Sequence, residues 1–185
     1  MIRNGQKKLY KKAEETAESS SEFGLLADSI HEDLGDKEWA KKIYMKLEET
    51  AESYDGFLSL ADSILKNFGD KEWGRKVYEK AEGKVESHRW CYEGTHLANS
   101  IHKNLGDKEW AKKLYKKVET KAEDHGEFTE LAYGIHENLG DKEWAKILYK
   151  KAESMPGAVF DDFISDADYI RNELGDEEWA NKVFK

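Results

Sequence analysis

The chain has 185 residues and a formal net charge of -9, from 30 Lys and Arg against 39 Asp and Glu, a balance that repels phosphate backbones and argues against nucleic-acid binding. A single cysteine, Cys91, excludes an intramolecular disulfide and a Cys-based zinc cage. The opening MIRNGQKKLY has no apolar run of signal-peptide length, and nothing approaches the roughly 18 unbroken apolar residues of a membrane span, so a soluble, cytoplasmic protein with no membrane partner is expected.

In chain order, the first element is a helix within residues 1–19, where GQKKLYKKAEETAES (Gly5 to Ser19) aligns with WAKKIYMKLEETAES (Trp39 to Ser53). Gly5 and Gln6 replace Trp and Ala there, which suits an end helix with one face in water. Then comes the heptad LGDKEWA at Leu34 to Ala40, which returns at Phe68 to Gly74, Leu105 to Ala111, Leu139 to Ala145 and Leu174 to Ala180. Successive starts are 34, 37, 34 and 35 residues apart, so one unit is repeated. Full units are expected at 22–53, 55–87, 90–124 and 127–154, and a last one at 159–185 with a shortened second helix, all within a single repeat domain, 1–185. The array starts inside a unit and stops at Lys185 early in a second helix, leaving open a stub cap or a piece of a longer array.

Phe57, Leu60, Ala61, Ile64 and Phe68 recur at three- and four-residue steps, the pattern of a helix burying one face. Gly69 supplies the left-handed residue that ends a helix, and Asp70 an acceptor for the free amides that open the next. Trp73, Val77 and Ala81, flanked by Tyr78 and Val85, describe a second amphipathic helix. The heptad therefore marks a corner turned in every unit, because one hairpin of this size cannot bury its own apolar faces.

The spacing and the pattern Gly35, Asp36, Ala40, Tyr44, repeated as Gly140, Asp141, Ala145, Tyr149, resemble tetratricopeptide repeats, in a divergent, Sel1-like form. The family's boundary proline and the Trp-Gly signature of its first helix are missing, and a Trp precedes the small Ala. The resemblance implies an all-α fold, a right-handed α-solenoid of stacked helix-turn-helix repeats of about 34 residues, with protein partners held in a groove lined by first helices.

Two joints break the regularity. SHRWCYEGTH, from Ser87 to His96, carries three extra residues with Trp90 and Tyr92 as candidate partner contacts; SMPGAVFDDF holds the sole proline, Pro156, beside Gly157, where altered curvature is expected. His31, His102 and His136 share one place in three first helices, with Leu65 and Arg171 in the others. Equivalent places on neighbouring helices lie roughly 8 to 10 Å apart, too far to share one ion, so packing is the expected role. His88, Cys91 and His96 lack a fourth ligand at recognisable spacing, and no metal or cofactor is expected. The five heptad Trp read as inter-repeat packing rather than a ligand ladder, and Lys41, Lys42, Lys46, Lys112, Lys113, Lys116 and Lys117, interleaved with Glu48, Glu49 and Glu119, as a solvated face.

Charge separates the two helix types. The five first-helix segments carry -4, -1, 0, -3 and -4, totalling -12, so the remainder carries +3. Between a constant Ala and Ile, the same segments vary from Asp28-Ser29 and Asp62-Ser63 through Asn99-Ser100 to Tyr133-Gly134 and Asp168-Tyr169. That is how a binding surface on a fixed scaffold looks; ordinary solvated helix residues are the alternative. With no Ser-His-Asp set, phosphate loop or HExxH string, the chain is expected to be no enzyme but a scaffold that binds a basic or amphipathic peptide of another protein in an acidic groove. The alternative is a structural, self-assembling protein that stacks through its incomplete ends.

Overall fold

A computed structural model describes residues 2–86, 89–155 and 160–182; His88, Pro156, Gly157 and Lys185 lie outside them. Among the described residues every regular element is helical. After α1 (Ile2–Thr16) the helices come in pairs: α2 (Ser20–Ser29) with α3 (Lys37–Thr50), α4 (Tyr54–Phe68) with α5 (Lys71–Lys84), α6 (Trp90–Ser100) with α7 (Lys108–Glu119), α8 (His125–Leu139) with α9 (Lys142–Ala152), and α10 (Phe160–Asn172) with α11 (Glu177–Ala180). The chain is all-α, and it divides into two compact units, 1–85 and 86–185, at the joint that carries the three extra residues. No helix among the described residues is long and apolar enough to cross a membrane.

The corner works by local chemistry. Gly35, Gly69, Gly106, Gly140 and Gly175 take φ of 65, 65, 73, 68 and 72°, the left-handed region that costs a side-chain-bearing residue about 1 kcal/mol. The Asp that follows caps the second helix. Asp36, Asp70, Asp107, Asp141 and Asp176 accept the backbone N–H of Trp39, Trp73, Trp110, Trp144 and Trp179 at 2.9–3.2 Å. First helices are capped by a different set, Ser19, Ser53 and Asp124; Ser19 forms a reciprocal capping box with Glu22. Before Gly35 and Gly106 the first helix widens into single π-helical turns, Ile30–Leu34 and Ile101–Leu105.

Each unit has its own core. In the first, Phe57, Leu60, Ala61 and Ile64 of α4 meet Val77, Tyr78 and Ala81 of α5, all buried, as their spacing requires. In the second, Leu97, Ile101, Leu114, Phe128, Leu131, Ile135 and Leu148 play the same part. Gly74 replaces the Ala found at 40, 111, 145 and 180, and a Cβ there would lie 2.6–3.0 Å from the Leu65 side chain. Leu65 in turn occupies the place of His31, His102, His136 and Arg171, always nine residues before the small position. The pair has therefore been matched for volume. Gly74→Ala is expected to lower stability by about 1 kcal/mol despite Ala's better helix propensity, because the overlap outweighs it. Urea unfolding of Leu65→His/Gly74→Ala, which recreates the combination of the other repeats, is expected to recover most of that loss.

Candidate functional site

The candidate contacts on the first helices are built into a recurrent hydrogen-bonded knot. In the first unit the Tyr44 hydroxyl, from α3, donates to Asp28 of α2. Asn67 of α4 then donates to Asp28 Oδ1 at 2.9 Å and to the Tyr44 oxygen at 2.7 Å. One tyrosine thus ties its own first helix to the next. Tyr78 donates to Asp62 in the same way. In the second unit Tyr115 donates to Asn99 and, at 3.2 Å, to the Gly134 carbonyl, while Asn138 donates to Asn99 at 3.0 Å. Asp28, Asp62 and Asn99 are half-buried for this reason, as are Ser29, Ser63 and Ser100 beside them. Burial, aided by the Asp28 carboxylate in one case, pushes the Tyr44 and Tyr115 hydroxyls well above the usual range.

At the fourth first helix the knot changes character. Tyr133 stands where Asp28 stood and is 51% exposed, with its ring 5.4 Å from that of Tyr169, which itself lies 5.6 Å from buried Tyr149. The Tyr169 hydroxyl pairs with His136 Nδ1 at 2.5 Å and donates to Glu137 at 3.1 Å. Hydrogen bonding gives way to ring packing here. The variation between the constant Ala and Ile therefore has a packing component that the sequence alone does not reveal. Asp168 remains exposed and pairs with Arg171 at 3.0 Å.

Tryptophan ties the second helices together. The Trp39 indole N–H donates to Glu14 at 2.8 Å, Trp73 to Glu48 at 2.7 Å, Trp144 to Glu119 at 3.0 Å and Trp179 to Glu153 at 2.5 Å. Lysine completes two of these ties, Lys46 on Glu14 and Lys80 on Glu48 at 2.7 Å. Lys41 lies over the Trp73 ring at 5.4 Å and Lys150 over Trp179 at 5.3 Å. The ring is thus gripped on its edge and its face. Glu48 and Glu119, expected on a solvated face, are half-buried acceptors instead.

The long joint does not present Trp90 to solvent. Its ring is 6% exposed, under Lys117 at 3.7 Å, and packs so closely on Gly94 that a Cβ there would come within 2.8 Å of it. Tyr92 is 54% exposed, its ring 4.4 Å from that of His96. Burial first, then the Glu127 carboxylate, pushes the Cys91 thiol up to about 12, so it is no thiolate nucleophile at neutral pH. No three His, Cys, Asp or Glu side chains converge as a metal cage among the described residues. His31 packs edge-on against Phe68 at 5.6 Å, the packing role expected of that position.

Two hollows open beside α2 in the first unit. A hollow of about 430 Å³ lies between α2 and α4, floored by Tyr44 and Leu47 of α3, and it includes Asp28 and Ser63. A second, of about 330 Å³, lies between α1 and α2. Leu25 of α2, 70% exposed, borders both. The sequence signals Asp28 and Ser63 but not the space between them, which depends on Gly24.

No family model, curated protein or solved structure matches the chain. The tetratricopeptide likeness thus rests on the repeated residues alone.

Proposed function

We propose that the chain is a non-enzymatic interaction module whose first helices present an acidic face to a basic or amphipathic segment of another protein. On this reading the helix pairs of each unit stack as turns of a right-handed, tetratricopeptide-like α-solenoid, and the protein works in the cytoplasm. What carries the reading is the first unit: a hollow of about 430 Å³ lies on its first-helix face, holds two carboxylates, and is bordered by an exposed leucine. Such a surface attracts a cationic partner over distance and offers it apolar contact on arrival.

The knot makes a clean charge test available. Asn99 accepts from Tyr115 as Asp28 and Asp62 accept from Tyr44 and Tyr78, so Asp→Asn there removes charge while keeping the acceptor. Asp28→Asn/Asp62→Asn/Asp168→Asn is expected to fold normally and to lose about fivefold in affinity at low salt, each exposed or half-exposed charge contributing about 0.3 kcal/mol. A pull-down at low and high salt identifies the partner, and titration of it gives the affinity. Unchanged affinity in the triple variant sinks the acidic-face reading. Self-association is the second reading, favoured by Leu9 of α1, which is 68% exposed. Sedimentation at rising concentration, with Leu9→Gln as control, decides for it if particles grow and the variant stops them.

A further inference from the structure

The hollow between α2 and α4 differs from an ordinary inter-helix seam in what lines it. Its wall on α2 is opened by Gly24, where an added Cβ would meet only the Leu47 Cδ1 atom, at 3.4 Å. Four residues before the Asp62 that matches Asp28, the next repeat carries Leu58 instead. The space is therefore a property of this repeat and not of the fold. Leu25, Leu47 and Leu60 make the walls and floor apolar, and Asp28 and Asp55 supply two carboxylates. Among the described residues no Lys, Arg or His lines it. At about 430 Å³ it is within the roughly 300–1,000 Å³ of pockets that enclose a ligand group.

We propose, resting on the acidic-face reading, that this hollow is the anchoring subsite for one lysine or arginine of an amphipathic partner segment, with the aliphatic stem against Leu47 and Leu60 and the charged head between Asp28 and Asp55. Leu25 then meets the partner's apolar face. The opposite polarity, an anion at the first turns of α2 and α4, is disfavoured on two counts. Ser19 and Ser53 already accept the backbone N–H of Glu22 and Gly56, at 3.2 and 3.1 Å, and two formal negative charges face the space. A long basic side chain suits it because its stem is apolar and only its tip is charged.

The test uses the full chain and a labelled probe peptide of Lys, Leu and Ala at helical spacing, followed by fluorescence anisotropy at low and high salt. Gly24→Leu, which copies Leu58, fills the hollow and leaves every charge in place. It is expected to weaken binding about tenfold while the salt dependence is retained. Asp28→Asn/Asp55→Asn is expected to weaken binding and flatten the salt dependence, whereas Glu38→Gln/Glu49→Gln, equal in charge but outside the hollow, leaves both unchanged. Ser59→Leu, on the opposite wall, repeats the steric test should Gly24→Leu melt early. Wild-type affinity in a folded steric variant overturns the subsite; if the Asp28, Asp62 and Asp168 triple variant still loses binding, the acidic-face reading survives that failure. Equal losses in all charge variants, including Glu38 and Glu49, mean diffuse attraction and also overturn it. Thermal stabilisation of the chain by inorganic phosphate, or concentration-dependent growth of the particle, either of them abolished by Gly24→Leu, assigns the hollow to an anion or to a second copy and rejects the proposal.

Discussion

Raising the pH past about 10 is expected to unfold the protein over a narrow range, well beyond what the loss of lysine charge alone produces. Tyr44, Tyr115 and Tyr149 are buried, and burial first of all holds their hydroxyls far above the value of a free tyrosine. The sign follows from which state keeps its protons. Above about pH 10 the unfolded chain releases these protons and the folded chain retains them, so stability is intact below that pH and falls as pH rises. Each retained proton removes up to about 1.4 kcal/mol per pH unit, and three together about 4, against a total stability of about 5–15 kcal/mol for a domain. Tyr169 shifts the same way, burial leading and the Glu137 hydrogen bond adding, but it is more open and contributes less. Helix content and phenolate absorbance followed in one titration check this. Buried tyrosines are expected to ionise only as helix is lost, and Tyr149→Phe to move the midpoint upward. Ionisation of all nine tyrosines near pH 10 with helix intact refutes it.

The second large effect is expected at His125→Leu, a loss of about 3–5 kcal/mol. His125, on the first turn of α8, is 2% exposed and places Nε2 at 2.9 Å from Oδ2 of Asp166 on α10, itself 7% exposed. Burial raises the Asp166 carboxyl, and His125 works against that rise while Asp162 and Glu153 reinforce it. Removing the imidazole leaves a carboxylate in an apolar seam with those two acidic neighbours. Replacing both, His125→Leu/Asp166→Leu, removes the demand as well as its answer, and is expected to return the protein close to wild-type stability. Urea midpoints of the two single variants and the double one decide. A double variant as unstable as His125→Leu means that shape, and not pairing, matters there.

The repeated corner was fully legible, because everything that makes it lies within seven letters: a left-handed Gly35, a capping Asp36 and a helix start with half-buried Trp39 and buried Ala40. The core rows of α4 and α5 were legible for a similar reason, since helical periodicity is local. Partners at long separation were not. Glu48 reads as one more polar residue on a lysine-rich helix, yet it accepts from Trp73, 25 residues on. Asn67 and Asn138 look like unremarkable helix ends and instead complete the tyrosine knots. The candidate contacts suffered from the same limit. Asp28 and Asp62 lie on first helices, but their first duty is to accept from Tyr44 and Tyr78, and Trp90 is spent on packing. Gly24 gave no signal at all, because a missing side chain shows its meaning only when the neighbours that fail to fill the space are in place.

The ties between successive pairs have one more consequence. In the first unit the tryptophan at the start of a second helix reaches a glutamate 25 residues earlier, and the tyrosine a carboxylate 16 residues earlier, with the same offsets for Trp39 and Tyr44 as for Trp73 and Tyr78. Fixed offsets make the helix pair an interchangeable part. A duplicate of residues 54–87 spliced after Ser53 would present its own Trp to Glu48 and its own Glu to the Trp that follows, so both seams would find their usual donors and acceptors. Lengthening by whole pairs is thus open to this chain, whereas an insertion of half a pair would set the indole that spans it against the wrong residue.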